Sequence, residues 1–464
     1  MELLNSYNSI ILITSVVILS FLFNAFSERT NIPAVLLLIL TGILLKLGLD
    51  ALDVPAFELF PVLEIVGIVG LIMIVLEAAL DLELTREKWP IIWQSFSVAL
   101  VGLLGSVFGA AYILRLAVPG MNESWLVALL YATPMSILSS AIIIPSVGNL
   151  AQRKKEFHIY ESTFSDIIGI MLFYFIEGLL EAQHGPAEAA GNPIGEATLT
   201  FVLYLLATIA ISFVASYLLI LLFQNLRTQV KLFLLISILV LLYAIGKRLH
   251  LSPLIIILIF GLVLSNHHLF FRGPLRKLLK EESLSPIESD FHVVTVESAF
   301  LVRTFFFVIF GMTISLASLW NLDVLVISLT LLASIYLIRW VAFQIFLKRD
   351  IVPQLYIAPR GLITVLLFFT IPPALQVEAF DPGILLFIII ATSIIMAGAL
   401  IADGKRQARQ QRLANDPLTI PPERIYAGFR AQWVDEKFGR KEADPQITAE
   451  VPADGLAADE TPDI

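Results

Sequence analysis

Carboxylate and hydroxyl side chains occur together inside a long apolar stretch around residues 157–182. Glu161, Ser162, Ser165 and Asp166 lie within six positions of one another. On a helix, Ser162, Ser165 and Asp166 share a face, whereas Glu161 lies about 140° from Asp166. Oxygen donors of this type suit Na⁺, Li⁺ or hydronium better than a soft metal. The spacing therefore predicts a monovalent cation or proton site at Asp166. For the serines, bonding back to the carbonyls of their own helix is the alternative.

Other ionisable residues also lie within apolar segments. Those that lie away from the segment ends are Glu77, Glu161, Asp166, Glu297, Arg303 and Arg360. A charge at the centre of a bilayer costs about 2.5–3.5 kcal/mol on insertion scales, so each residue needs a reason to be there. Four acids against two arginines leave at least two acids without a cationic partner, and such acids must hold a proton or a cation. We expect Glu64, Glu177 and Arg339 to reach the membrane surface from the ends of their segments. The set as a whole predicts an ion or proton pathway, although structural pairing is the alternative for any single residue.

The composition indicates that these residues belong to an integral membrane protein. Of 464 residues, 58% are hydrophobic and only 15% are charged, whereas soluble domains have about 25% charged residues. A water-soluble enzyme is therefore excluded. The chain has no cysteine, which excludes disulfides, thiol nucleophiles and Cys-bound metals. The net charge of −9 comes mostly from an acidic stretch at 442–464, and nothing favours nucleic-acid binding.

A helix needs about 20 mostly apolar residues to cross a bilayer. Thirteen segments of the chain meet this requirement, and they predict an all-α polytopic membrane protein with 13 transmembrane helices. They lie near 8–27, 32–50, 61–80, 94–118, 125–147, 157–182, 197–223, 231–247, 252–267, 292–315, 322–346, 354–374 and 382–403. The first segment has no basic region and no cleavage site, so we interpret it as a retained helix.

The basic residues between these segments predict the orientation. Eighteen Lys and Arg residues fall on one side of the membrane and four on the other, and the richer side is cytoplasmic. We therefore expect a plasma-membrane protein with its N-terminus outside and its C-terminus inside. Residues 404–464 are predicted to be a largely disordered cytosolic tail with a weak helix around 422–439. The tail is either a solvated extension or a regulatory segment that binds a partner.

Prolines interrupt two of the predicted helices. One interruption lies within 131–141, where Pro134 precedes several hydroxyl residues, and the other is at Pro359-Arg360-Gly361. Proline removes a backbone hydrogen bond, and interrupted helices in corresponding places of two halves indicate an inverted-repeat transporter. Spans 4–6 and 11–13 would be the repeats, with opposite topology.

Four short motifs, in this order along the chain, resemble a known family. They are Val75-Leu76-Glu77-Ala78-Ala79-Leu80 (family Leu-Phe-Glu-Gly-Gly-Leu), Glu161-Ser162-Thr163-Phe164-Ser165-Asp166 (Glu-Ser-x-x-Asn-Asp), Arg303-Thr304-Phe305-Phe306-Phe307 with Gly311 (Arg-x-Phe-Phe-Phe…Gly) and Pro359-Arg360-Gly361 (Leu-Arg-Gly). The chain resembles the monovalent cation:proton antiporter superfamily, in its sodium/proton exchanger branch, through essentially all of residues 8–403.

The resemblance implies a fold and an assembly. The fold would be the sodium/proton-antiporter fold, with inverted repeats and two discontinuous crossing helices. A transporter domain over 1–403 would contain core repeats at about 94–182 and 322–403. This core would move against a dimerisation region at about 8–80 and 231–315. The protein would be a homodimer in lipid, with no cofactor beyond the transported ions.

The resemblance also implies roles for individual residues. Asp166 would exchange a cation for a proton, and Glu161 would form a buried ion pair with Arg360. Ser162 would help to bind the ion, together with span 5 near Thr133 or Ser139-Ser140. Glu77 would lie near the ion path.

Two departures from the family pattern affect selectivity and stoichiometry. Ser165 replaces a residue that is usually Asn or Asp, and serine cannot carry a second proton. Ser139-Ser140 is closer to the Ser-Ser-Thr of potassium-efflux relatives than to the Thr-Asp-Pro of many sodium exchangers. Na⁺, K⁺ and Li⁺ therefore stay open as substrates, and electroneutral exchange of one cation for one proton is expected.

Other classes of protein fit the sequence less well. A channel or a sensor on the same fold is the rival, but a channel needs a continuous polar path and these polar residues cluster at the middle of the membrane. No phosphate-binding motif, nucleophile elbow or metal-ligand spacing of the histidines occurs, so we do not expect an enzyme.

Overall fold

The computed structural model describes most of the chain. The described residues are 6–30, 32–51, 60–82, 84–184, 193–224, 231–248, 253–271, 281–313, 321–348 and 351–414. The weak helix predicted around 422–439 and the acidic stretch lie outside these residues, as do several of the loop residues that predict the orientation.

The described part of the chain is all-α, with two short 3₁₀-helices at Gln354–Tyr356 and Pro373–Leu375 and no strand. The α-helices are α1 (Ser6–Thr30), α2 (Ala34–Ala51), α3 (Phe60–Leu80), α4 (Trp89–Ala117), α5 (Trp125–Ser136), α6 (Ser140–Ser146), α7 (Gln152–His184), α8 (Pro193–Phe223), α9 (Lys231–Arg248), α10 (Pro253–Ser265), α11 (His267–Phe270), α12 (Glu281–Thr313), α13 (Leu322–Phe346), α14 (Leu362–Phe369) and α15 (Gly383–Ala414).

Helices in the described residues are long and apolar enough to cross a membrane at nine places, and two shorter apolar helices lie at Ile65–Leu80 and Pro253–Ser265. Each of the 13 predicted spans contains helix in the structure. The all-helical membrane fold is therefore confirmed, whereas the count of 13 stays a prediction.

The helices pack in two groups. In the first group, α4 packs against α5, α7 and α13; in the second, α12 packs against α2 and α3, and α10 packs against α3 and α8. Apolar side chains fill both groups. The groups meet at α14, which packs against both α5 and α3, and where α7 packs against α8.

The two interruptions predicted from the sequence are present, and they touch. The first break is the extended stretch 137–139 between α5 and α6, and the second is the stretch 357–361 that precedes α14. The Ser139 amide donates to the Pro359 carbonyl at 2.9 Å. A side chain at Gly361 would collide with the Ser139 hydroxyl, so glycine permits this crossing. Pro134 lies inside α5, before the break rather than at it.

The chain divides into two compact units, Met1–Asp403 and Gly404–Ile464. All the residues discussed below belong to the first unit. In the second unit the structure describes residues 404–414, which form the end of α15.

Candidate ion-binding site

Asp166 lies in the middle of α7 and is 4% exposed. Neither carboxylate oxygen has a hydrogen-bond partner among the described residues. The amide and hydroxyl of Ser140 lie near the carboxylate, but neither bonds it with good geometry, and Ser140 Oγ also has no hydrogen-bond partner there. A bare buried carboxylate is very costly. Asp166 is therefore a group that is stable when it holds a proton or a cation.

A cavity of about 20 Å³ adjoins Asp166. It is lined by Val75, Ala78, Thr163, Ile167, Ile170 and Leu254, together with Ile255 and Leu258. This volume is enough for a water molecule or a dehydrated alkali cation of similar size. Because the lining is mostly apolar, oxygen ligands for a cation must come from Asp166 and the adjacent break.

The helix break brings polar groups to this part of α7. Ser165 Oγ accepts a hydrogen bond from the Leu138 amide at 3.0 Å, so the serine satisfies a donor that the break exposes. A side chain at Gly169 would collide with Ile137, and glycine thus lets the break lie directly against α7. The structure thus places the first break beside the α7 segment that contains Asp166.

Two of the predicted hydroxyl ligands also bond to their own helices. Ser162 donates to the His158 carbonyl at 2.8 Å, and Thr133 donates to the Leu129 carbonyl at 2.7 Å. This is the structural alternative considered for the serines. A hydroxyl that donates in this way keeps its lone pairs, so binding of a cation by Ser162 or Thr133 stays a prediction.

Glu161 pairs with Arg339 of α13, and the predicted pair with Arg360 is wrong. Arg339 donates to both carboxylate oxygens of Glu161, at 2.6 and 3.0 Å. His158 Nδ1 lies 3.1 Å from the same carboxylate, and all three side chains are buried. A bidentate salt bridge between a guanidinium and a carboxylate is strong and directional.

Arg360 instead binds backbone carbonyls around the breaks. Its guanidinium donates to Met135 O at 3.0 Å, Ser136 O at 3.2 Å and Ala358 O at 2.7 Å. The last carbonyls of a helix have no partner within the helix and carry partial negative charge. Because α5 ends at Ser136, the break itself creates the acceptors that hold Arg360.

Sequence reasoning missed two members of the Glu161 cluster. Arg339 was expected to reach the membrane surface, but it is 7% exposed. It lies on the same face of α13 as the buried residues Ser328 and Ile335, and this register was the signal available. His158 precedes Glu161 by three residues, a spacing that places the two side chains side by side on a helix.

Glu77 and Arg303 form a second ion pair, and neither is among the residues that line the Asp166 cavity. Arg303 Nη2 lies 3.1 Å from Glu77 Oε2. Glu77 therefore points to Arg303 in the structure, and its predicted place near the ion path stays a prediction. Glu297 is exposed on α12, so the structure does not bring it to the site.

Broken helices that touch at their breaks, with an ionisable residue buried beside them, are typical of secondary transporters built from inverted repeats. The sequence matches the sodium/hydrogen exchanger, transmembrane, family over residues 13–402. The chain belongs to this family. It is therefore a membrane protein of the cation/proton antiporter class, and the family is one of transporters rather than enzymes.

Solved structures share this fold. The structure of the sodium proton antiporter MjNhaP1 from Methanocaldococcus jannaschii at pH 8 superposes with a TM-score of 0.62 and 19% identity, covering 86% of this chain and 99% of that one. An electron-microscopy map of the same antiporter gives a TM-score of 0.59 and 20% identity, covering 89% and 99%. A search of curated proteins found no significant match.

Proposed function

We propose that the protein exchanges one monovalent cation for one proton across the cell membrane, with Asp166 as the carrier of both. The observation that supports this most directly is the Asp166 carboxylate, which is buried beside a helix break and accepts no hydrogen bond from the residues that the structure describes. Bound proton and bound monovalent cation both leave the carboxylate neutral. The site can then cross the membrane in either form at a similar desolvation cost.

The stoichiometry follows from the charges at the site. Glu161 is fully occupied by Arg339 and His158, and Ser165 cannot titrate. One exchanging charge is left, so the exchange is one for one and electroneutral. Alternating access is provided by movement of the helix group that contains α4, α5 and α7 against the group that contains α3, α10 and α12. The protein works as a homodimer with an extracellular N-terminus and a cytoplasmic C-terminus.

Na⁺ is the first candidate substrate, since the antiporter with the similar fold is a sodium antiporter. K⁺ is the second, because Ser139 and Ser140 occupy the break where many sodium exchangers have Thr-Asp-Pro. Li⁺ is a third, because it too is a hard cation that prefers oxygen donors.

The test is proton flux in vesicles that contain the purified protein and a pH-sensitive dye, with Na⁺, K⁺ or Li⁺ added in turn. Each measurement is made with and without a clamped membrane potential. We expect saturable, cation-driven proton flux that the clamp does not change. No cation-driven flux would refute the exchange, flux that follows the potential without saturation would identify a channel, and saturable flux that depends on potential would refute electroneutrality.

A further inference from the structure

Arg303 connects α12 and α3 of the second packing group with α6, which packs against α7 of the first group. From α12, its Nη1 donates to the Ala141 carbonyl of α6 at 2.8 Å, and its Nη2 donates to Glu77 of α3 at 3.1 Å. Both charged side chains are mostly buried, with 13% and 12% exposed. Because an unpaired charge is costly inside a membrane, Glu77 holds Arg303 in place, and Arg303 in turn holds α6.

The Ala141 carbonyl needs a donor because of Pro145. In a regular α-helix, this carbonyl would accept a hydrogen bond from the amide of residue 145, four positions later. Proline has no amide hydrogen, and Pro145 lies inside α6. Arg303 supplies the donor that the proline removes. The sequence pairs a deleted backbone donor in one helix with a side-chain donor from another.

The position of Ala141 matters because it follows Ser140 directly. Ser140 is the first residue of α6, and its amide and hydroxyl lie near Asp166. A shift of the first turn of α6 would move these groups relative to the carboxylate. The short helix has seven residues, so an anchor on its first turn sets the position of the whole helix.

We propose that Arg303, held by Glu77, is a positioning residue that fixes the first turn of α6 and thereby sets how Asp166 and Ser140 meet the cation. The inference rests on the proposed function of Asp166. It gives Glu77 a supporting role through Arg303 in place of direct contact with the ion. Arg303 lies in the second packing group and α6 lies beside the first, so the contact also joins the two groups.

The test measures cation KM and maximal exchange rate for Arg303→Gln, Arg303→Lys and Glu77→Gln in vesicles, with Na⁺ and K⁺ as probes. We expect Arg303→Gln to raise KM about tenfold, in keeping with the loss of one charge-assisted hydrogen bond, and to keep at least about half of the maximal rate. Arg303→Lys keeps the charge and one donor, so its KM should lie between the KM of the wild type and that of Arg303→Gln. Glu297→Gln is the control, since it removes an exposed carboxylate from the same helix and should leave both parameters unchanged.

Two combined variants sharpen the test. Glu77→Gln/Arg303→Gln removes both buried charges and should fold even if a single variant does not, with a KM no higher than that of Arg303→Gln. Adding Pro145→Ala to this pair restores an amide at position 145 that can bond to Ala141 O. We expect this addition to bring KM back toward the wild-type value, which a general loss of stability would not do.

The possible failures are distinct. An unchanged KM in folded Arg303→Gln, or no recovery with Pro145→Ala, would overturn the positioning role. Loss of exchange in Glu77→Gln with normal exchange in Arg303→Gln would also overturn it and would make Glu77 an ion ligand. Wild-type vesicles without cation-driven proton flux would refute the proposed function itself.

Discussion

Glu161 and Asp166 lie five residues apart on α7, and both carboxylates are buried, with 0% and 4% of each residue exposed. Their surroundings are opposite. Glu161 accepts hydrogen bonds from Arg339 at both of its oxygens and has His158 beside it. Asp166 faces an apolar cavity and a serine, and neither of its oxygens has a partner in the described part of the chain.

This contrast separates a structural charge from a functional one. A buried carboxylate with every oxygen occupied is committed to its partners, and losing one of them leaves an uncompensated charge. A buried carboxylate without hydrogen-bond donors is stabilised by binding a proton or a cation, and it can release either one again. Perturbed ionisable groups of this kind cluster at functional sites, and burial by itself would not have distinguished the two residues.

The largest expected effect comes from Asp166→Asn. The Asn amide carries no negative charge, so it cannot take up the proton or neutralise the cation. Cation-driven proton flux should therefore fall by about a hundredfold or more. Thermal stability in detergent should stay at or above the wild-type value, because a bare buried carboxylate is removed. Vesicle flux and the melting temperature check these outcomes, and retained flux would show that the carrier is another residue.

The matched change at the other carboxylate, Glu161→Gln, should act on folding rather than on exchange. It leaves Arg339 buried without its counter-charge, at a cost of about 3–5 kcal/mol. The melting temperature and the yield of folded protein should fall, while exchange per folded molecule is kept. Adding Arg339→Gln should recover part of the stability. Equal stability of Glu161→Gln and wild type would remove the distinction between the two carboxylates.

A third expectation concerns pH at the Asp166 site. If proton and cation compete for one carboxylate, the apparent KM for the cation should rise by about tenfold for each unit by which the pH falls below the pKa of that carboxylate. Above this pKa the apparent KM should be constant. Cation titrations of exchange at a series of pH values measure this slope. A KM independent of pH would contradict a shared site. Glu161, already occupied, should contribute nothing to the slope, so Glu161→Gln should keep it.

The smallest expected effect is that of Ser140→Ala. Removing a single hydroxyl beside Asp166 should raise the apparent cation KM by about two- to tenfold and leave the maximal rate near the wild-type value. Ser97→Ala is the matched control, because Ser97 is half-buried and its hydroxyl donates to the Trp93 carbonyl of its own helix, α4, at 2.8 Å. A KM equal to that of Ser97→Ala would exclude the Ser140 hydroxyl as a ligand.

The local part of the site could be predicted from the sequence. Residue spacing places Ser162, Ser165 and Asp166 on one face of a helix, and prolines with nearby hydroxyls indicate interrupted helices. Both features depend on residues close together in the chain, and the structure shows the breaks at 137–139 and 357–361.

The partners across helices could not be predicted in the same way. Arg339 and Arg360 are both distant from Glu161 in the chain, and spacing does not say which of them packs against it. The choice depends on α4 packing against both α7 and α13, which brings the buried face of α13 towards Glu161. The acceptors for Arg360 are carbonyls freed by a break, and no side-chain pattern encodes them. His158 was within reach of sequence reasoning, since it lies three residues before Glu161.

The hydrogen bond between Ser139 and Pro359 has a mechanical consequence. Each break supplies the backbone partner that the other lacks, so sliding one past the other would strand an amide and a carbonyl away from water. In the proposed exchange, we therefore expect the two broken segments to move together with the bound ion. We then expect the ion to stay at one site while access changes from one side of the membrane to the other, rather than to pass between two separate sites. Inserting a single residue into either broken segment, 137–139 or 357–361, should therefore misalign both segments.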